Sequence, residues 1–283
     1  MYLYRFVDYE DSGSSPLPNP RYLSHFPISS LLASDARLIQ LGTLFGSSRL
    51  HLRSPAHRAI RKAIRESMVL SNTVLQSASS AAGRQLGGSY LGAHIRVGDG
   101  PFYTSRAQNI RAIWYKLVTQ TLNISLSKAQ HLERRFSSWQ PPAELPTLPA
   151  AHSSRSTDPM DPTPATRRKL PCRRPAHTAS ELHSLNIPLF VSTDSPAERH
   201  LELLTRTFPC TFFLGDVLPP SPLDDAVSSH DEVPLKPFLL PMVDALVVAG
   251  ARGFVGTDGS TFSTYVEDVL WRKLHGLDIL QRG

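Results

Sequence analysis

From Ser89 onward, short apolar runs alternate with helical patterns, and this alternation narrows the fold more than any other feature. The runs are Ser89–Val97 (SYLGAHIRV), Ile187–Ser192 (IPLFVS), Thr211–Leu214 (TFFL) and Gly253–Gly256 (GFVG). Each is closed by Gly, Asp, Ser or Pro, which suits a strand buried on both faces. Helical spacings lie between them. Ile110, Ile113, Trp114 and Leu117 share one face within Ser105–Thr119, and Leu201, Leu204 and Phe208 follow Pro196. Leu239–Ala249 is an apolar helix, and Tyr265, Val266, Val269 and Leu270 mark a last one. Strand and helix in alternation predict a parallel sheet inside a three-layer α/β domain.

The part before Ser89 is shorter and less regular. Residues 11–21 read as loop, and Leu38–Leu44, closed by Gly46-Ser47-Ser48, reads as a buried strand and turn. Ser54-Pro55 opens a helix, with Ser as N-cap and Pro at the first position. Ile60, Ile64 and Met68 recur at helical spacing along it, and Arg58, Arg61, Lys62 and Arg65 form a solvated basic face. A second helix covers Asn72–Arg84 and ends at Gly87-Gly88. Residues 1–88 are too short for a whole Rossmann-like domain and read as the end of one. Residues 89–283 read as a Rossmann-like domain carrying an insertion.

Hydrophobic residues make up 41% of the chain and charged residues 19%, enough for a sizeable core. One segment departs from this. Trp139–Thr178 is rich in Pro, Ser, Thr and Arg without periodicity, so residues 139–178 are expected to be a disordered insertion. It holds much of the +6 net charge, and its RRK and CRR clusters read as a basic linker rather than a nucleic-acid site. The only cysteines, Cys172 and Cys210, are expected to be free thiols ahead of a single bridge. Asn123-Ile124-Ser125 is a sequon that matters only in a secretory compartment. There is no apolar run of ~18–20 residues and no visible signal peptide, so no membrane segment is expected. With Met1 as the start, the chain would stay in the cytosol.

Ligands of open parallel sheets sit at the carboxyl ends of strands. Three candidate ends are polar here: HIRVGDG with His94, Arg96 and Asp99; FVSTDS with Asp194; and FVGTDGSTFS with Ser260, Thr261, Phe262 and Ser263. Each has a plain explanation: a local Arg96–Asp99 pair, an ordinary N-cap, and a cap with Phe262 in the core. Together, in order on one sheet, they favour a phosphate-bearing nucleotide site. Arg96 can fork onto phosphate oxygens, and the helix start after Gly259 offers free backbone N–H groups. No P-loop and no convincing dinucleotide fingerprint occurs.

The ordered motifs HIRVGDG, PLFVSTDS and FVGTDGSTFSTYV resemble the GDP-fucose protein O-fucosyltransferases, in particular fungal O-fucosyltransferase-like proteins. LIQLGTLFG and the basic helix after it also look like the segment before the HxR strand in those proteins. The resemblance spans most of residues 30–125 and 185–275. It implies a GT-B fold of two Rossmann-like domains, here one such domain plus a partial, acceptor-side one. It implies GDP-fucose as donor substrate, a protein or glycan hydroxyl as acceptor, inverting transfer, and no metal or other cofactor. Arg96 would face the diphosphate as the catalytic residue. His94, Asp99, Asp194, Ser260, Thr261, Phe262 and Ser263 would bind the donor, Asp194 through the nucleoside. The family works in the secretory pathway. No glycine- and asparagine-containing loop precedes residue 30, so an incomplete member, inactive through truncation, is one expectation. The alternative is a non-catalytic nucleotide-sugar or glycan-binding relative.

Overall fold

The computed structural model describes residues 2–10, 22–39, 49–137, 144–148, 170–194, 198–220 and 223–281. The chain divides into two units, Met1–Val69 with Asp278–Gly283, and Leu70–Leu277. The boundary falls between Val69 and Leu70 rather than at residue 88. The reason is the second helix, whose apolar face belongs to the core of the larger unit.

In the smaller unit, strands β1 (Tyr2–Val7), β2 (Tyr22–Pro27) and β3 (Leu50–His51) form a parallel sheet in the order β2-β1-β3. Helix α1 (Ile28–Leu32) follows β2 directly. Helix α2 (Pro55–Ser67) starts as the sequence predicts, with Pro55 at its first turn and the Ser54 hydroxyl accepting from His57 N. Asp8, just past β1, accepts from the backbone N–H of Arg53 at 2.7 Å and of Ser54 at 2.9 Å. Burial pushes the Asp8 carboxyl up, but those two amides and the His57 ring outweigh it and leave its pKa below the ordinary value. The expected loop over 11–21 and residues 40–44 of the expected strand lie outside the described residues, and Leu38 and Ile39 are not in a strand.

In the larger unit, helix α3 (Thr73–Gln85) is capped by Asn72, whose side chain accepts from Val74 N and Leu75 N. Strand β4 (Leu91–Ile95) follows, then helices α4 (Gly100–Thr104), α5 (Arg106–Tyr115) and α6 (Leu126–Phe136). Strand β5 (Leu189–Thr193), helix α7 (Glu202–Thr207), strand β6 (Thr211–Phe212) and the single turn α8 (Leu214–Val217) come next. Helix α9 (Lys236–Ala249), strand β7 (Gly253–Gly256) and a last helix built of α10 (Thr261–Tyr265), wide π turns over Val266–Trp271 and α11 (Arg272–Leu274) complete it. The four strands are parallel, in the order β6-β5-β4-β7.

Alternate residues of these strands face opposite ways, and each face carries its own apolar cluster. Leu91, Ala93, Ile95, Leu189 and Val191 pack with α5, α6 and α7 residues such as Trp114, Leu132 and Leu204. Tyr90, Phe190, Phe212 and Phe254 pack with Leu75, Ala78 and Ala82 of α3, Val243 and Val247 of α9, and Trp271. The result is the three-layer α/β arrangement that the alternation predicts. Gly92 makes the second face possible. A Cβ there would lie 2.7 Å from the Val248 carbonyl oxygen and 2.8 Å from Ala251 Cβ, so only glycine lets β4 approach the end of α9. Among the described residues, no helix is long and apolar enough to cross a membrane.

Two further expectations need correction. Cys172 and Cys210 are joined by a disulfide. The expected disordered insertion over 139–178 is also too long at its C-terminal end, because residues 170–178 are described and bonded. Arg173 donates to the Thr211 carbonyl at 3.1 Å and pairs with Asp216, and His177 N donates to Asn186 Oδ1 at 2.8 Å. On the other side, Arg111 donates to the Glu144 carbonyl at 2.6 Å. A cross-link and hydrogen bonds to neighbouring elements supply the ordering that an apolar face supplies elsewhere, and composition cannot show them. Residues 139–143 and 149–169 lie outside the described residues.

The bridge spans 38 residues of sequence, so loop-closure entropy predicts that it contributes about 4 kcal/mol. Cys172→Ala, or reduction of the wild type, should lower the unfolding free energy in urea by about that amount. Unchanged stability on reduction would contradict a structural bridge.

Candidate functional site

The strand order creates the site. The chain steps from β4 to β5 to β6 in one direction, then returns past them to place β7 on the other side of β4. The carboxyl ends of β4 and β7 therefore border a topological switch point, the position at which open α/β sheets place their ligands because the flanking connections leave in opposite directions. His94 pairs in register with Gly256 on one side and Ser192 on the other. All three polar strand ends identified in the sequence meet along this edge.

Two clamps hold the exit of β4. On the β7 side, the Thr257 hydroxyl accepts from Arg96 N at 3.0 Å and donates to the His94 carbonyl at 3.1 Å. On the β5 side, Asp194 Oδ1 accepts from Val97 N at 2.8 Å and Gly98 N at 3.0 Å. The other Asp194 oxygen faces Arg96 Nε at 3.1 Å. A Cβ on Gly98 would lie 2.9 Å from both Asp194 Cγ and Oδ2, so the clamp requires glycine at that position.

Arg96 is the part-exposed cation of this edge. Asp99 pairs with its Nη2 at 2.7 Å, and the Asp99 side chain is 64% exposed. The local Arg96–Asp99 pair that the sequence allows is therefore present, and Asp194 is added to it. Asp194 is engaged by backbone amides and by Arg96, so its contacts are those of a residue that fixes the turn.

His94 lies on the α9 face of the sheet and is buried. Its Nδ1 is 2.6 Å from Ser263 Oγ, and its ring lies 4.6 Å from that of Phe262 with the planes 40° apart. Burial, opposed by Asp194 and aided by Arg96, brings its pKa down to about 4. The ring is thus neutral near pH 7 and acts through packing and a hydrogen bond. Ser263 Oγ also accepts from Thr257 N at 3.1 Å. Ser260 caps α10, its hydroxyl accepting from Ser263 N at 3.3 Å. Both serines are buried, whereas Thr261 is exposed and Phe262 is half-buried. Gly256 allows this close approach, since a Cβ there would sit 2.6 Å from Ser263 Cβ.

Three residues of the site were not singled out from sequence. Thr257 was read only as part of a turn. Lys116, which is buried, donates to the Gly256 carbonyl at 3.0 Å and pairs with Asp258 at 2.7 Å. It begins the wide π turns Lys116–Thr121 that extend α5. The available signal was a lysine inside the apolar run WYKLV. Asp258 is exposed and pairs only with this lysine among the contacts described here. Among the described residues, no group of three or more His, Cys, Asp or Glu side chains could hold a metal ion.

A scan against protein-family models returns no match to the chain. No curated protein matches it closely either.

The His94 ring titrates at its ordinary 6.5 in the unfolded chain and at about 4 in the folded one. As pH falls below 6.5 the unfolded state binds the proton first, so this residue removes stability progressively down to about pH 4, by up to about 3 kcal/mol. Unfolding curves of wild type and His94→Gln should converge as pH drops through that window. Parallel curves would refute a buried neutral ring. Gly98→Ala should push Asp194 off the turn, costing roughly 1–3 kcal/mol of stability by the same assay.

Proposed function

We propose that the Leu70–Leu277 unit binds the nucleotide-diphosphate part of a sugar nucleotide, and that the chain is a glycosyltransferase using GDP-fucose as donor. The observation that carries this reading is the position of Arg96. Its backbone N–H is held from the β7 side by Thr257 and its guanidinium from the β5 side by Asp194, at the carboxyl end of β4 beside the switch point, where a diphosphate would meet it. The resemblance of HIRVGDG, PLFVSTDS and FVGTDGSTFSTYV to the protein O-fucosyltransferases supports the choice of donor. On this reading the fold is of GT-B type.

The chemistry follows from the residues. In an inverting transfer, an acceptor hydroxyl attacks the anomeric carbon while the bond to the diphosphate oxygen breaks. Negative charge grows on the departing GDP, and a cation already in place stabilises it without reorganising. Arg96 fits that role, since its backbone is fixed by Thr257 and its side chain by Asp194. His94 holds Ser263 and Phe262 in position, and the start of α10 offers N–H groups to phosphate oxygens.

A second reading, a relative that binds sugar nucleotides without turnover, has its own support. Arg96 and Lys116 face three carboxylates, those of Asp99, Asp194 and Asp258. An arriving diphosphate must displace the exposed partners, Asp99 first, and this lowers affinity.

GDP-fucose should raise the thermal midpoint of the full chain, and Arg96→Ala should abolish the rise. No rise with GDP-fucose in folded protein would remove both readings. Transfer of labelled fucose to peptide or glycan acceptors then separates them, because detectable transfer ends the non-catalytic one.

A further inference from the structure

Asn123-Ile124-Ser125 is the only Asn-X-Ser/Thr triplet of the sequence with X other than proline. The fold places it on the turn between the π end of α5 and the start of α6. Asn123 is exposed and sits at φ 55°, a left-handed conformation that asparagine tolerates better than most residues. Ile124 is anchored, with its N–H donating to the Val118 carbonyl at 3.0 Å and its side chain against the core. Ser125 is exposed, and its hydroxyl makes only long contacts, 3.4 Å from Lys128 N and 3.3 Å from Ser127 Oγ. The outer two residues of the triplet therefore face solvent while the middle one fixes the turn. A bulky group on Asn123 would project outward without displacing the core.

An independent feature sets the compartment. Cys210 is fully buried and bridged to Cys172, and the bridge ties the 170–178 segment to β6. Its two ends lie in the 170–178 segment and beside β6, where it acts as a structural cross-link. Structural disulfides persist where folding occurs under oxidising conditions. In eukaryotic cells that setting also glycosylates exposed sequons.

We infer that Asn123 is an N-glycosylation site. In the modification, Asn123 Nδ2 forms a bond to the anomeric carbon of an oligosaccharide carried on a lipid diphosphate. The anomeric C–O bond breaks, the lipid diphosphate leaves with the electron pair, and one amide proton passes to a base of the transferase. The inference rests on the turn and the disulfide, not on the sugar-nucleotide reading.

The test uses the full chain isolated from the cells that make it, treated with a peptide N-glycosidase in heavy-oxygen water and analysed by peptide mass spectrometry. The peptide carrying Asn123 should lose a glycan and gain a labelled Asp at that position. In the same cells Asn123→Asp, which keeps the left-handed turn, and Ser125→Ala should migrate like the deglycosylated wild type, and Ser125→Thr should keep the glycan. Unmodified Asn123 in a chain with the Cys172–Cys210 bridge formed would overturn the inference. Reduced cysteines without a glycan would overturn it through the compartment, and a glycan persisting in Asn123→Asp would place the modification elsewhere.

Discussion

The Asp194 carboxylate organises the edge of the sheet on which the proposed function rests. A strand that ends at a crevice leaves backbone N–H groups without ladder partners, and burying such groups unpaired costs about 1–3 kcal/mol each. Asp194 accepts from two of them, Val97 N and Gly98 N, and turns its other oxygen to Arg96. Thr257 closes the other side by accepting from Arg96 N. The arginine is thus positioned by its own backbone as well as by its side chain. The smaller unit uses the same device, where Asp8 past β1 accepts from Arg53 N and Ser54 N at the start of α2.

This arrangement has an electrostatic consequence. A cation withdrawn from water needs a counter-ion close by. Asp99 supplies one for Arg96 and Asp258 supplies one for Lys116, and both carboxylates are exposed. Asp194 is less free to leave, because its backbone bonds would be lost with it. On the proposed reading a donor phosphate would take the place of Asp99 at Arg96, and the burial of His94 keeps a titrating charge away from that position.

Much of the larger unit was legible in the sequence because its strands are buried on both faces and so read as unbroken apolar runs. Gly253–Gly256 has the same bounds in sequence and structure, and the Ser54 cap acts through the hydrogen bond its side chain predicts. β1 and β2 were harder to see, because YLYRFV and YLSHFP mix polar residues such as Arg5 and His25 among apolar ones. The disulfide and the 170–178 segment were hidden for a different reason. Their order comes from contacts distant in sequence, which no local pattern encodes. Within the site, HIRVGDG announced a charged strand end and its Arg96–Asp99 pair, but Asp194 as the second partner of Arg96 did not follow from it. Asp194 in a TDS triplet looks like any helix cap, and its bonds run to a turn 97 residues away. Thr257 and Lys116 were missed because their roles depend on which strand lies beside β4, and that is a property of the topology alone.

The most direct measurement is a crystal structure of the full chain with GDP bound. The account predicts the diphosphate at the carboxyl ends of β4 and β7, with its oxygens within about 3 Å of the Arg96 guanidinium and Asp99 turned away from it. A diphosphate bound elsewhere on the chain, with the Arg96–Asp99 pair intact, would contradict it.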